Sequence, residues 1–332
     1  MKLSVLDQLP VTVGNTAVGA IEKTKELGIL ADQLGYHRMW FAEHHGGKTY
    51  ASSAPELLVA HLAALTTNLR LGTGGTMMMH YSPLKLAEVF KTLSGIAPGR
   101  IDFGVGRAPG GDHRATHALA SGRYFKEDLY EKLTTTLDLI RDQQPTDKLY
   151  QGVLASPVKI ALPEAWLLGS SGNSAIEAGK QGVGYSFAQF FMGTMTKDIF
   201  DLYRSQFTPS YFMEKPEINV AYLTTVAETT EEAEFEAGTA DIHRLMMAKG
   251  QPLSFQTPEQ AQEIKKGLTE MDLMRIADDR KLRHLVGTPK IVAEKIQADG
   301  EFYGFDEAMI VSLTHSQEKR LNTYRLLGKE ML

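Results

Sequence analysis

Short apolar or alternating runs recur along the chain, each followed by a longer stretch whose apolar positions fall three and four apart. That rhythm predicts strand-then-helix units. The first strand is predicted over residues 3–7 and the first helix over 16–34, with Gly35 as its C-cap glycine. The second strand covers 37–44 (HRMWFAEH), and Pro55 opens a helix to about Thr67. The third covers 69–77 (LRLGTGGTM), and Pro83 starts a helix that closes near Ile96. The fourth strand is 101–106, followed after a loop by a helix over 126–141. Strands at 165–169, 184–189 and 217–226 alternate with helices at 173–180 and 196–206. The polar stretch 229–285 is too long for one connector and predicts a helix plus an inserted helical excursion. A helix at 290–298, an eighth strand at 307–312 and a helix at 317–332 complete the chain. Eight such units predict an α/β fold, a (β/α)8 TIM barrel forming one domain over 1–332, with a helical insertion at about 229–285 near the seventh strand. The same count fits a doubly wound open sheet.

Parity sorts each strand into two faces. In the fourth, Ile101, Phe103 and Val105 form a bulky set suited to the surrounding helices. Asp102, Gly104 and Gly106 then face inward, and two missing side chains at the C-terminal end would let a planar ligand approach the backbone. Gly72, Gly74 and Gly75 repeat the device in the third strand. In the second, Met39, Phe41 and Glu43 share a parity with His45, while Trp40 and Ala42 share the other with His44. With the first set against the helices, His44 faces the barrel mouth.

Composition narrows the chemistry. The 332 residues carry a net charge of −5, are 43% hydrophobic and contain no Cys. A large core is possible, whereas disulfides, Cys-based metal centres and thiolate nucleophiles are excluded. Scattered Lys and Arg on a mildly acidic chain argue against a nucleic-acid partner. The apolar run near Leu57 is interrupted by His61 and is too short to span a bilayer, so a cytoplasmic protein without a membrane partner is expected.

The candidate chemistry collects at predicted strand ends, where barrel enzymes carry their active sites. Glu43, His44 and His45 end the second strand. Adjacent histidines on a strand point oppositely and do not readily share a metal, so an acid, base or hydrogen-bonding role suits them better; satisfied polar residues beneath a loop fit equally. GVGRAPGGD, starting at Gly104, has Pro109 where a dinucleotide fingerprint needs its third glycine, which rejects a Rossmann site. Arg107 could meet an anion there or cap a surface loop. LLGSSGNSA offers Ser170, Ser171 and Ser174 at a helix start, where anion binding and simple N-capping explain the composition equally well. His113 and His117 lack a third ligand, and no metal is expected.

Taken together and in this order, WFAEHH, LGTGG, RIDFGVGRAPG and WLLGSSGNSA resemble the bacterial luciferase-like flavin monooxygenases along the whole chain, the VGTP segment at 286–289 included. The resemblance implies a barrel with an insertion near the seventh strand. It implies reduced FMN as cofactor, supplied by a separate NAD(P)H:flavin reductase, and O2 and a small organic substrate such as an aldehyde as reactants. His44 inherits the role of a catalytic histidine beside the flavin. Arg107, Ser170, Ser171 and Ser174 inherit the flavin phosphate. Gly74, Gly75 and Thr76 fall where the family commonly has a non-prolyl cis peptide, and together with Gly106 they complete the cofactor-binding set. A homodimer is implied as well. An F420-dependent dehydrogenase of the same fold and a non-catalytic flavin-binding protein are the alternatives. The light-emitting subunit's cysteine is replaced at the strand end by Gly106, and Phe190 stands where close relatives often have histidine. Substrate identity and light emission are therefore not carried over.

Overall fold

The computed structural model describes residues 1–122 and 128–332. Its strands are β1 (Lys2–Asp7), β2 (Arg38–Phe41), β3 (Arg70–Thr73), β4 (Thr76–Met77), β5 (Ile101–Gly106), β6 (Glu164–Gly169), β7 (Gly184–Ala188), β8 (Ile218–Val226), β9 (His284–Gly287) and β10 (Glu307–Val311). The helices are α1 (Ala17–Leu34), α2 (Pro55–Ala63), α3 (Pro83–Ile96), α4 (His113–Leu119), α5 (Leu129–Ile140), α6 (Gly172–Gln181), α7 (Gln189–Met192) and α8 (Lys197–Gln206). They continue with α9 (Thr230–Ala248), α10 (Pro258–Lys266), α11 (Glu270–Arg283), α12 (Pro289–Tyr303) and α13 (Gln317–Met331).

All pairings among these strands are parallel, in the order β10-β1-β2-β3-β5-β6-β7-β8, and β10 returns to β8 to close the ring. The fold is an eight-stranded (β/α)8 barrel, which excludes the open sheet. β4 continues the third position against β5, and β9 pairs with the C-terminal half of β8 beyond its pairing with β10. That strand has no counterpart in the sequence reading, which places residues 284–285 in the helical stretch and 286–287 in the VGTP segment.

Two apolar cores follow from strand parity. Val5, Met39, Phe41, Leu71, Ile101, Phe103 and Val105 pack outward with the helices, while Leu6, Trp40, Trp166, Leu223 and Met309 fill the inside. Beneath the inner core lies a buried ionic cluster. Arg38, wholly inaccessible, reaches Asp102 at 2.8 Å, Glu307 at 2.7 Å and Glu164 at 3.0 Å. Arg70 adds a second bond to Asp102 at 2.6 Å, and Trp40 Nε1 donates to Asp102 at 2.8 Å. Burial alone would push the Arg38 guanidinium down, but Asp102, Glu307 and Glu164 outweigh it and hold it above its ordinary value.

Several predicted boundaries shift. The second strand ends at Phe41 rather than His44: Ala42 N still donates to Asp7 O of β1, but beyond it the chain bonds to loops, His44 N donating to Ser52 O and His45 N to Gly110 O. The third breaks into β3 and β4 around a cis peptide between Gly74 and Gly75. The helix from Pro55 stops at Ala63, and the start predicted at Lys126 lies outside the described residues. Four inward glycines, read as room for a planar ligand, also serve the chain's own packing. A Cβ on Gly104 would lie 1.9 Å from Thr73 O, and one on Gly75 would lie 2.9 Å from Gly106 N. Gly74 packs under Leu6 in the same way, and Gly106 faces the flexible tip of Met77.

Candidate active site

The C-terminal mouth of the barrel gathers the residues that the sequence singled out, in two groups. The first is built around the end of β2. Glu43, 2% exposed, is a hub rather than a free carboxylate: its Oε2 accepts from Met77 N at 2.9 Å, and its Oε1 from Tyr81 Oη at 2.7 Å. His45 Nε2 meets the same Oε1 at 2.7 Å, so His45 points away from the barrel axis into a structural tie. His44 is turned the other way, as parity requires.

The position of His44 is set from two sides, by Gln8 and by Tyr50. Gln8 follows the end of β1 where Leu9 takes a positive φ of 52°, a turn held by the bond from Leu9 N to Asp7 Oδ1 at 2.8 Å. That turn brings Gln8 Oε1 to 3.2 Å from His44 Nε2. The His44 ring lies parallel on Tyr50, with centroids 4.2 Å apart and planes 19° apart. Tyr50 in turn stands 3.2 Å from Nε2 of His243, a residue of α9. Sequence reading missed Gln8, Tyr50 and His243. Only Tyr50 left a signal, as a lone aromatic in a polar loop.

Burial, with His45 beside it, lowers the His44 pKa to about 4. The ring is therefore neutral at physiological pH and available to accept a proton. The same shift makes a stability prediction. An unfolded histidine titrates near 6.5, so between there and about 4 the unfolded chain binds the extra proton and the folded state loses ground as pH falls. Going from pH 7 to pH 5 is expected to cost ~2 kcal/mol through His44, a loss that a His44→Gln variant does not show in parallel urea titrations.

The second group sits one strand pair away. The register Val105 to Leu167 places the ends of β5 and β6 side by side, and with them Arg107 and the Ser170–Ser171 turn. Arg107 is exposed and lies over the Tyr130 ring, 4.6 Å from its centroid, with no carboxylate paired to it among the described residues. Ser171 caps α6 and accepts from Ser174 N, leaving the N–H groups of Gly172 and Asn173 without intrahelical acceptors. Ser170 Oγ has no hydrogen-bond partner among the described residues. Ser174 is different. At 1% exposure its hydroxyl is spent on Ser171 O at 2.8 Å and Tyr185 Oη at 3.3 Å, so the anion-binding role read for it is not open to its side chain. Thr76 Oγ1 is likewise turned into the protein, toward Thr73 Oγ1 at 3.1 Å.

A guanidinium, a hydroxyl and two free N–H groups on adjacent strand ends fit a phosphate. Tyr50, Leu168 and Phe190 are partly buried and pack against the inner core. His113 and His117 merely stack, centroids 6.2 Å apart, and no metal-binding group of three His, Cys, Asp or Glu occurs among the described residues. No helix among them is long and apolar enough to cross a membrane.

Comparison with known proteins shows the family and the fold. The profile of the family described as luciferase-like monooxygenase matches residues 1–307. The chain is 39% identical to YwcH of Bacillus subtilis (strain 168), over 98% of each chain. It is 34% identical to the N-acetyl-S-alkylcysteine monooxygenase of the same organism, over 100% of this chain and 98% of that one. The crystal structure of apo-MsnO8 superposes with a TM-score of 0.90 at 33% identity, covering 99% of this chain and 97% of that one. An FMN complex of the oxygenating constituent of 3,6-diketocamphane monooxygenase (19% identity, TM-score 0.70) and an F420-dependent secondary alcohol dehydrogenase (14%, 0.67) share the fold alone.

Proposed function

This chain belongs to the luciferase-like monooxygenase family, and on that premise we propose that it uses reduced FMN, delivered by a separate NAD(P)H-dependent flavin reductase, and O2 to oxygenate a small organic substrate. The observation that carries the reading is the β5–β6 register, which sets the two strand ends side by side with the unpaired Arg107 following one and Ser170 and the α6 N-terminus following the other. Arg107 would hold the FMN phosphate as a forked donor, its guanidinium lying over the Tyr130 ring, and the N–H groups of Gly172 and Asn173 would share the charge. Bound reduced FMN supplies the two electrons that activate O2.

The chain's own contribution is to orient the reactants, exclude water and handle a proton. Tyr50, Leu168 and Phe190 offer apolar walls that suit a poorly hydrated substrate. In the tautomer that places the proton on Nε2 toward Gln8, His44 Nδ1 carries the lone pair and is the atom that takes a proton during turnover. An aldehyde and an N-acetyl-S-alkylcysteine, the latter from the name of the 34%-identical relative, are the first substrates to try.

Arg107→Ala tests the phosphate assignment. An exposed guanidinium over one ring adds little to folding, so the thermal midpoint without FMN should stay within about a degree or two. Reduced-FMN affinity should fall by about tenfold or more, since a charge-assisted bond contributes ~1.5–3 kcal/mol. Riboflavin, lacking the phosphate, should bind both proteins alike. Unchanged FMN affinity in the variant would remove Arg107 from the site.

A further inference from the structure

The helical segment between β8 and β9 reaches the barrel mouth through His243 and Phe255, and the contact His243 makes there is specific. His243, 2% exposed on α9, stacks on Phe255 with centroids 3.9 Å apart. Its Nδ1 lies 2.7 Å from Leu253 O, a carbonyl that can only accept. Nδ1 therefore carries the proton, and Nε2 presents a lone pair to Tyr50 Oη at 3.2 Å, so the phenol is the donor. Tyr50 is fixed as well by its backbone. Val11 N donates to Thr49 O at 2.8 Å and Ala51 N to Leu9 O at 2.9 Å, which binds its loop to the segment after β1. That segment in turn takes a bond from Val13 N to Phe255 O at 2.9 Å. Tyr50 thus stands between the β1 and β2 loops and the α9–α10 region, with one face on His44 and its hydroxyl on His243.

We infer that Tyr50 and His243 are positioning residues for His44: the Tyr50–His243 hydrogen bond fixes the phenol ring, and the ring fixes the His44 imidazole by stacking. The inference deepens the proposed function, since it rests on the reading that His44 serves the oxygenation. Gln8 restrains His44 at one nitrogen only, through a 3.2 Å contact, and a single such bond leaves the ring free to tilt about it. The stacked phenol removes that freedom. Through His243 it ties the imidazole to a helix of the segment after β8, so that the seat of α9 on the barrel and the orientation of His44 are one variable.

The proposal is tested by three substitutions and two readouts. Tyr50→Phe keeps the ring and deletes the donor, His243→Leu deletes the acceptor, and His243→Gln retains an acceptor oxygen near the place of Nε2. The first readout is NMR of histidine-labelled protein without flavin, where stacking on Tyr50 displaces the His44 ring-proton shifts. Tyr50→Phe and His243→Leu should both move those signals, and His243→Gln should return most of the displacement. The second is the rate at which bound reduced FMN is reoxidised by O2, with reduced-FMN affinity measured alongside. Both deletions should change that rate by about fivefold to tenfold with affinity within about twofold, and the double variant should be no worse than either single one. His44 ring shifts identical to wild type in both deletions would overturn the proposal, as would additive effects in the double variant. A wild-type protein that binds no reduced FMN would defeat the proposed function, yet the ring shifts alone would still decide the positioning role.

Discussion

Replacing Arg38 by Met is expected to lower the unfolding free energy at pH 7 by ~3–5 kcal/mol, the cost of breaking a buried ion pair by removing one partner. Asp102 and Glu307, 0% and 2% exposed, would be left as buried carboxylates with much of their compensation gone. Arg70 continues to bond Asp102 at 2.6 Å, but it does not reach Glu307, whose remaining side-chain partner is Ser4 at 2.7 Å. The deficit should narrow as the pH is lowered, because burial then acts on the Asp102 carboxyl without the Arg38 charge that helps hold it below its ordinary range, so that it takes a proton more readily. Urea titrations at pH 7 and pH 4 measure both effects. A loss below ~1 kcal/mol at pH 7 would mean that the cluster is solvated in a way the closed barrel floor does not suggest. The active-site mouth lies at the other end of the barrel, so flavin affinity of the folded variant should be unchanged.

Replacing His44 by Ala is expected to cut the rate of substrate oxygenation by about 10²–10⁴-fold, the range for losing a positioned general acid or base. Reduced-FMN affinity should change little, since the proposed phosphate contacts come from β5 and α6 rather than β2. Because the His44 pKa is lowered to about 4, the wild-type rate should show no loss from protonation of this residue between pH 8 and pH 6, and should fall only as pH approaches 4. A His44→Ala enzyme with the wild-type rate would remove the ring from the chemistry. An inflection near pH 6.5 that disappears in the variant would show that His44 is more exposed to water in the working enzyme than its contacts imply.

Much of the barrel was legible because a buried parallel sheet leaves a strong local record. Ile101, Phe103 and Val105 on one parity and Asp102, Gly104 and Gly106 on the other gave both the limits of β5 and its two faces. His44 was likewise assigned to the mouth from the parity it shares with Trp40. What escaped was decided by contacts between distant segments. Whether β2 ends at Phe41 or His44 depends on Ser52 and Gly110, which claim the amides of His44 and His45. The closeness of Arg107 to the α6 turn follows from the β5–β6 register, and that of Tyr50 to His243 joins residues 193 positions apart. Ser174 looked like an anion ligand because composition does not tell a hydroxyl facing outward from one folded back on its own cap. The Arg38 cluster did leave a trace. Arg38 and Asp102 are opposite charges at inward positions of β2 and β5, on either side of β3, and an inward charge calls for a partner.

The most direct measurement is an anaerobic equilibrium titration of the wild-type protein with reduced FMN, reduced riboflavin and reduced F420 in parallel, followed by mixing of the loaded protein with O2. Reduced FMN should bind at least about tenfold more tightly than riboflavin, for the charge-assisted phosphate contacts described above, and more tightly than F420. Its reoxidation should follow a course distinct from that of free flavin and sensitive to an added aldehyde or N-acetyl-S-alkylcysteine. Preference for F420, or reoxidation identical to free flavin whatever is added, would contradict an FMN-dependent monooxygenase.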